Sequence, residues 1–279
     1  MKKHLFIGLL LCGILLASFT GRAQKPLRIV SLAPSITATL QQLDADHAIV
    51  GRTTYCPAAL ENRPTLTVGN VLETNIEQII ALHPDLVFCM AFTKPETLDK
   101  LRKFGIMVKE YRTPRSFEEI CEQTLEIGRL AGFEPQARLL VETEKEKVEK
   151  IRKEFEENPP FKTPPAVFFQ IGDNPVFPVI EGTYMNQYLT FLGLDNIVKD
   201  YKGGGISREY VLAGKPEIIF VSRMSGMGEQ AAAYWKKFEN IPAVKNGRIV
   251  LVDDTAACCP TPLFFRKTLE FLADYLQKM

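Results

Sequence analysis

Histidine and tryptophan are nearly missing from this 279-residue sequence, which holds three of the first and one of the second. His4 belongs to the leading segment, so His47 and His83 are the two that follow it. Two histidines do not make a His-rich zinc or manganese site, and Cys56 lacks an evident base to turn it into a nucleophile. Cysteine is scarce too, and no C-x-x-C pair occurs; Cys258 and Cys259 are adjacent, so their side chains diverge rather than share a tetrahedral ion. Charge of one sign is lacking: 34 Lys and Arg against 33 Asp and Glu leave a net +1, without the basic surplus of nucleic-acid binders. Past the first two dozen residues no apolar run approaches the ~20 residues of a membrane span. The expectation is therefore no catalytic residue, no resident metal or cofactor and no nucleic-acid partner.

What is there begins with "MKKHLFIGLLLCGILLASFTGRAQ", in which Lys2 and Lys3 precede an apolar stretch from Leu5 to Phe19 and the small residues Gly21 and Ala23. This reads as a signal peptide over 1–23, cleaved before Gln24, which sends the chain to the periplasm. Cys12 follows bulky Leu11, where a lipobox needs a small residue. The exported chain keeps Cys56, Cys89, Cys121, Cys258 and Cys259, an odd set that cannot all pair internally.

Short apolar runs then alternate with helical stretches. "LRIVSLAPS", "AIVG", "PDLVFCM" and "GIMVKEY" read as parallel strands, with Ser35 as the cap of a helix through Leu43. From Pro135 to Glu157 apolar residues recur at helical spacing among charges, predicting one amphipathic helix roughly 35 Å long. Prolines in "ENPPFKTPP" stop it, and "AVFFQI", "VFPVI", "EIIFVS" and "RIVLVDD" resume the strand pattern, with helices near Met185–Leu192, Ser207–Ala213 and Pro262–Gln277. The fold class is α/β: two lobes with parallel sheets, over 24–133 and 159–279, joined by one long helix over 134–158.

A repeat supports that division. "EQIIALHPDLVFC" from Glu77 aligns without gaps to "EYVLAGKPEIIFV" from Glu209. Glu77 and Glu209 thus occupy one position in each lobe, two residues into helices capped by Asn75 and Ser207. A first-turn acid is ordinarily a complement to the helix dipole. Two at matched lobe tips also suit basic pockets on a two-fold partner.

Loops after strand ends, where α/β lobes hold ligands, carry Tyr55 and Cys56, Met90 and Phe92, Arg112 and Arg115, Asn174 and Phe177, "YKGGGIS", Arg223 with Met224, and "AACCPTP". Aromatics, methionines and glycines beside a few arginines suit a large, flat, partly anionic ligand. Trp235, in "AYWKKF", reads as helical and away from these loops. Cys56 and Cys258 or Cys259 fall on two such loops, so a disulfide tethering the lobes is a further expectation.

"RIVSLAPSITATL", "NIEQIIALHPDLV", the long helix, "FFQIGDNPVF" and "GGGISREYVL" together resemble the cobalamin-binding periplasmic proteins of bacterial ABC importers, and the wider helical-backbone family that also carries haem and ferric siderophores. The resemblance covers the whole exported chain. It implies a monomeric carrier of a corrinoid, with haem or a ferric siderophore as the alternative cargo. It places permease-docking carboxylates on Glu77 and Glu209 and ligand contacts on Tyr55, Met90, Arg112, Phe177, Gly203 and Arg223. Tyr55 and Phe177 keep aromatics of the cobalamin cleft, whereas the tryptophan positions fall on Val71, Met90 and Gly203. Arg112 and Arg223 would meet propionates, and Tyr55 or Met90 an iron. A chelatase-type α/β enzyme and a sensing module are the readings from other classes.

Overall fold

The computed structural model describes residues 27–56, 65–70, 73–223 and 226–279. The signal segment, its cleavage point before Gln24, Val71 and Met224 lie outside the described residues.

Five apolar runs build the first sheet: β1 (Ile29–Ser31), β2 (Ile49–Arg52), β3 (Leu66–Thr67), β4 (Leu86–Met90) and β5 (Met107–Tyr111). Their order is β3-β2-β1-β4-β5, and every pairing is parallel. Parallel neighbours need crossovers, provided here by α1 (Pro34–Gln42), α2 (Ile76–Ala81) and α3 (Pro95–Lys103). Helix α1 corrects the expected cap: it starts at Pro34 after Ala33, and Ser35 lies inside it. Proline at the first turn supplies the right φ and lacks an N–H that would go unbonded there anyway.

Helices α4 (Phe117–Ala131) and α5 (Glu134–Glu157) follow. Ser116 caps α4, accepting the Glu119 N–H, and Pro135 stands in the first turn of α5. Both helices serve two cores. Ile127 and Ala131 of α4 and Ala137 of α5 pack with the first sheet. Phe117, Ile120 and Cys121 of α4 pack instead with the second, alongside Val141, Val148 and Phe155 of α5. The joint is thus a pair of helices crossing both lobes.

The second sheet comprises β6 (Ala166–Gly172), β7 (Phe177–Pro178), β8 (Asp195–Asn196), β9 (Ile218–Ser222) and β10 (Ile249–Val252). Its order is β10-β9-β6-β7 with β8 also on β6, parallel except for antiparallel β7. "VFPVI" shrinks to a two-residue edge strand because Pro178 has no N–H to give. Helices α6 (Tyr184–Phe191), α7 (Arg208–Ala213), α8 (Gly228–Trp235), α9 (Pro242–Lys245), α10 (Asp254–Cys258) and α11 (Pro262–Gln277) complete the lobe. No helix among the described residues is long and apolar enough to cross a membrane.

Among the described residues, side-chain bonds reach the second lobe from α1, from the segment after β5 and from the start of α4. Gln42 Nε2 donates to Thr261 Oγ1 at 3.0 Å, Arg115 Nε to the Gly182 carbonyl at 3.2 Å, and the Phe117 N–H to Gln187 Oε1 at 2.6 Å.

Candidate ligand cleft and lobe tips

Parallel strands aim their carboxyl ends one way, so each sheet presents its βα loops on one side. In the first lobe Thr53–Cys56 follow β2 and Ala91–Thr93 follow β4; in the second, Asp173–Val176 follow β6. These loops hold Tyr55 and Phe92, and Phe177 opens β7 directly after the third; their relative exposures are 72%, 56% and 42%.

An apolar cavity of about 460 Å³ is lined by Thr113, Pro114 and Arg115 from the segment after β5 and by Ile171, Pro178, Val179, Ile180, Tyr184 and Cys258 of the second lobe. Gly203 lies against one lining residue: a Cβ on it would stand 3.7 Å from Ile180 Cδ1. Burial holds the Tyr184 phenol well above its ordinary pKa, and the Tyr184 hydroxyl donates to the Ala257 carbonyl at 3.1 Å. The phenol therefore faces the cavity in its neutral form.

Met90 is mostly covered. It is 7% exposed and packs in the first core with Ile36 and Phe88.

The arginines carry less free charge than their positions suggest. Arg223 pairs with Glu229 at 3.2 Å. Arg112 lines a groove together with Glu110, Glu119, Glu122 and Glu126. Arg115 bonds the Gly182 carbonyl.

The expected disulfide is not formed. Cys56 is a free, buried thiol 3.1 Å from Thr53 Oγ1 and 3.7 Å from the Ser31 carbonyl, while Cys258 Sγ lies 3.4 Å from Ser222 Oγ. The Cys56 and Cys258 sulfurs thus each meet a polar neighbour in their own lobe, while Cys259 is near enough to Cys56 for the two to interact electrostatically. His47 precedes β2 and Cys56 follows it, so the two stand at opposite ends of the strand; the His47 ring bonds the Asp44 carbonyl and meets Phe133 edge-on. Trp235 is buried, its indole N–H donating to Gln170 Oε1 at 2.6 Å. Among the described residues no group of three or more His, Cys, Asp or Glu could hold a metal ion.

At the lobe tips the repeat is reproduced in atoms. Asn75 caps α2 by accepting the Gln78 N–H at 3.0 Å, and Ser207 caps α7 by accepting the Tyr210 N–H at 3.3 Å. Glu77 and Glu209 are each the second helical residue and both are exposed. The Glu209 carboxyl is held below the usual carboxylate range by its own backbone N–H and by Ser207.

Sequence reasoning missed Arg208 and Asp173. Arg208 Nη2 donates to Asp173 Oδ1 at 3.0 Å, and the guanidinium lies 4.3 Å over the Tyr234 ring. The partners are 35 residues apart, and no local pattern announces such a pair.

Two lobes of parallel sheet, a helix pair between them and a strand-end cleft define a two-lobed ligand carrier. The family model for periplasmic binding proteins matches residues 29–256, and the chain belongs to that family. It is 26% identical over 249 residues to a cobalamin-binding protein of Halobacterium salinarum, a match covering 85% of this chain and 66%, just under two thirds, of that protein. The crystal structure of the periplasmic vitamin B12 binding protein of Vibrio cholerae superposes with a TM-score of 0.74 at 25% identity, over 90% of this chain and 96% of that one. A periplasmic heme binding protein from Pseudomonas aeruginosa shares the fold, with a TM-score of 0.80 at 20% identity over 91% and 94% of the two chains. Such proteins are carriers rather than enzymes, which displaces the chelatase reading.

Proposed function

We propose that this chain is an exported, monomeric carrier that takes a corrinoid in its cleft and hands it to the membrane permease of an ABC importer. The observation that carries the reading is the set of exposed aromatics at strand ends, Tyr55 and Phe92 from one lobe and Phe177 from the other, together with an apolar cavity lined by the β5–α4 junction and by the second lobe. A broad, flat macrocycle is the kind of ligand that covers aromatic faces from two sides. The named relatives supply the ligand class. Pairing of Arg223 with Glu229 and the acidic surroundings of Arg112 favour a cargo with little net negative charge, such as cyanocobalamin.

Glu77 and Glu209 then meet arginines of the permease. Their exposure and matched placement support this role. Export follows from the leading segment over 1–23, with cleavage before Gln24; amino-terminal sequencing of the secreted form tests that point.

Haem is the second reading, favoured by the exposed Tyr55 phenol, a group able to ligate iron. Titration with cyanocobalamin and haemin separates the two. Cyanocobalamin binding that persists in Tyr55→Phe supports the corrinoid. A haemin complex with a phenolate-to-iron absorption band that Tyr55→Phe abolishes supports haem.

A further inference from the structure

The two lobes share more than a repeated glutamate. In each, the loop that bears the exposed aromatic is fastened to the residue just before the cap of the docking helix.

In the first lobe Thr54, next to Tyr55, donates both its N–H and its hydroxyl to the Gly69 carbonyl, at 2.9 and 3.0 Å. Gly69 forms an antiparallel bridge with Thr74, and Thr74 directly precedes Asn75, the cap of α2. The Asn75 N–H in turn donates to the Val68 carbonyl at 2.8 Å. In the second lobe Val176, next to Phe177, accepts the Ile206 N–H at 2.8 Å in another antiparallel bridge. Ile206 directly precedes Ser207, the cap of α7. Arg208, one residue before Glu209, adds its bond to Asp173 in the same loop, with side-chain exposures of 31% and 19%.

Both fasteners need glycine. Gly69 has φ +114, and a Cβ there would overlap the Glu73 carbonyl. A Cβ on Gly205 would stand 2.6 Å from Pro175 Cβ, so the two loops approach as closely as they do because none is present. The docking helices are six residues each, too short to hold their geometry alone. Their first turns, which carry the glutamates, are set by what they are tied to.

We propose that these two fasteners transmit cargo occupancy to the docking face: covering Tyr55 and Phe177 shifts the cap residues of α2 and α7 and so reorients Glu77 and Glu209. The inference rests on the carrier reading and adds positioning roles for Thr54, Asp173 and Arg208. A bound cargo can report to a distant surface only through an element whose arrangements it stabilises unequally, and these loops touch both surfaces.

Hydrogen exchange read by mass spectrometry on the full exported chain, with and without saturating cyanocobalamin and in parallel haemin, tests it. Segments 74–82 and 206–214 should both exchange about five-fold or more slowly with the cargo that binds. In the pair Asp173→Asn with Arg208→Met, asparagine keeps the acceptor for Gln170 and methionine keeps the cover over Tyr234. That variant should lose the response at 206–214 while 74–82 still responds and affinity for the probe stays within about three-fold, under 1 kcal/mol. Thr54→Val should weaken the response at 74–82 and spare 206–214. An unchanged response at 206–214 in the double variant overturns the proposal, as does a wild-type chain that binds the probe with both segments unaffected. Binding of neither probe removes the carrier reading and the coupling with it.

Discussion

Arg266 of α11 donates from Nε to Glu144 Oε2 of α5 at 2.7 Å, and Glu144, 3% exposed, also accepts from Lys147 at 3.1 Å. This ion pair fastens the crossing helix to the second lobe from within. Removing Arg266 leaves the buried Glu144 carboxylate with Lys147 as its cation and takes away a charge-assisted hydrogen bond. Arg266→Ala is expected to destabilise the chain by about 2–3 kcal/mol, read as a drop in the urea midpoint with m unchanged. Replacing both by apolar residues, Glu144→Leu with Arg266→Met, should recover most of the loss.

The caps of the docking helices are expected to matter modestly. Asn75→Ala and Ser207→Ala should each cost about 1 kcal/mol in chemical denaturation, while the conservative Asn75→Asp stays near wild type. Additive effects in the double variant are expected, because the two caps belong to different lobes.

Burial pushes the thiols of Cys89, Cys121 and Cys259 up to about 12. Unfolded thiols ionise near their ordinary ~8.5, so the unfolded state loses protons that the folded state keeps. Stability should therefore be complete below pH 8.5 and fall as pH rises through the window toward 12. Denaturation midpoints from pH 7 to 10.5 check this sign. At pH 8 these three thiols should resist iodoacetamide until the chain unfolds.

Docking gives a further expectation. Glu77→Ala with Glu209→Ala should abolish permease binding and uptake and leave cargo affinity unchanged, since removing one side of a desolvated interfacial pair costs ~2–5 kcal/mol. Uptake at the wild-type rate by the double variant would remove the docking role of both glutamates.

Much of this was legible in the residues because local rules govern it. The alternation of apolar strands and helices, the 3.6-residue stripe of α5 and the caps Asn75 and Ser207 depend on neighbours within a few positions. The matched glutamates were found by aligning one segment with another. The burial of Met90 is not legible, because a central parallel strand is apolar throughout and its sequence does not tell a covered end from an open one. Ser35 was taken as a cap because Pro34 was read as a stop, although proline equally opens a helix. The neutralising partners of Arg223 and Arg112, the clasp between Arg208 and Asp173, and the share of α4 in both cores arise from tertiary packing. A linear pattern carries no trace of them.

The most direct test of the central claim is a calorimetric titration of the exported chain with cyanocobalamin, with haemin and a set of ferric siderophores as comparisons. The account predicts one cyanocobalamin per chain bound at micromolar affinity or better, about −8 kcal/mol or more favourable, and weakened at least about ten-fold by Tyr55→Ala with Phe177→Ala. No cyanocobalamin binding at that concentration, or binding indifferent to both aromatics, would contradict it.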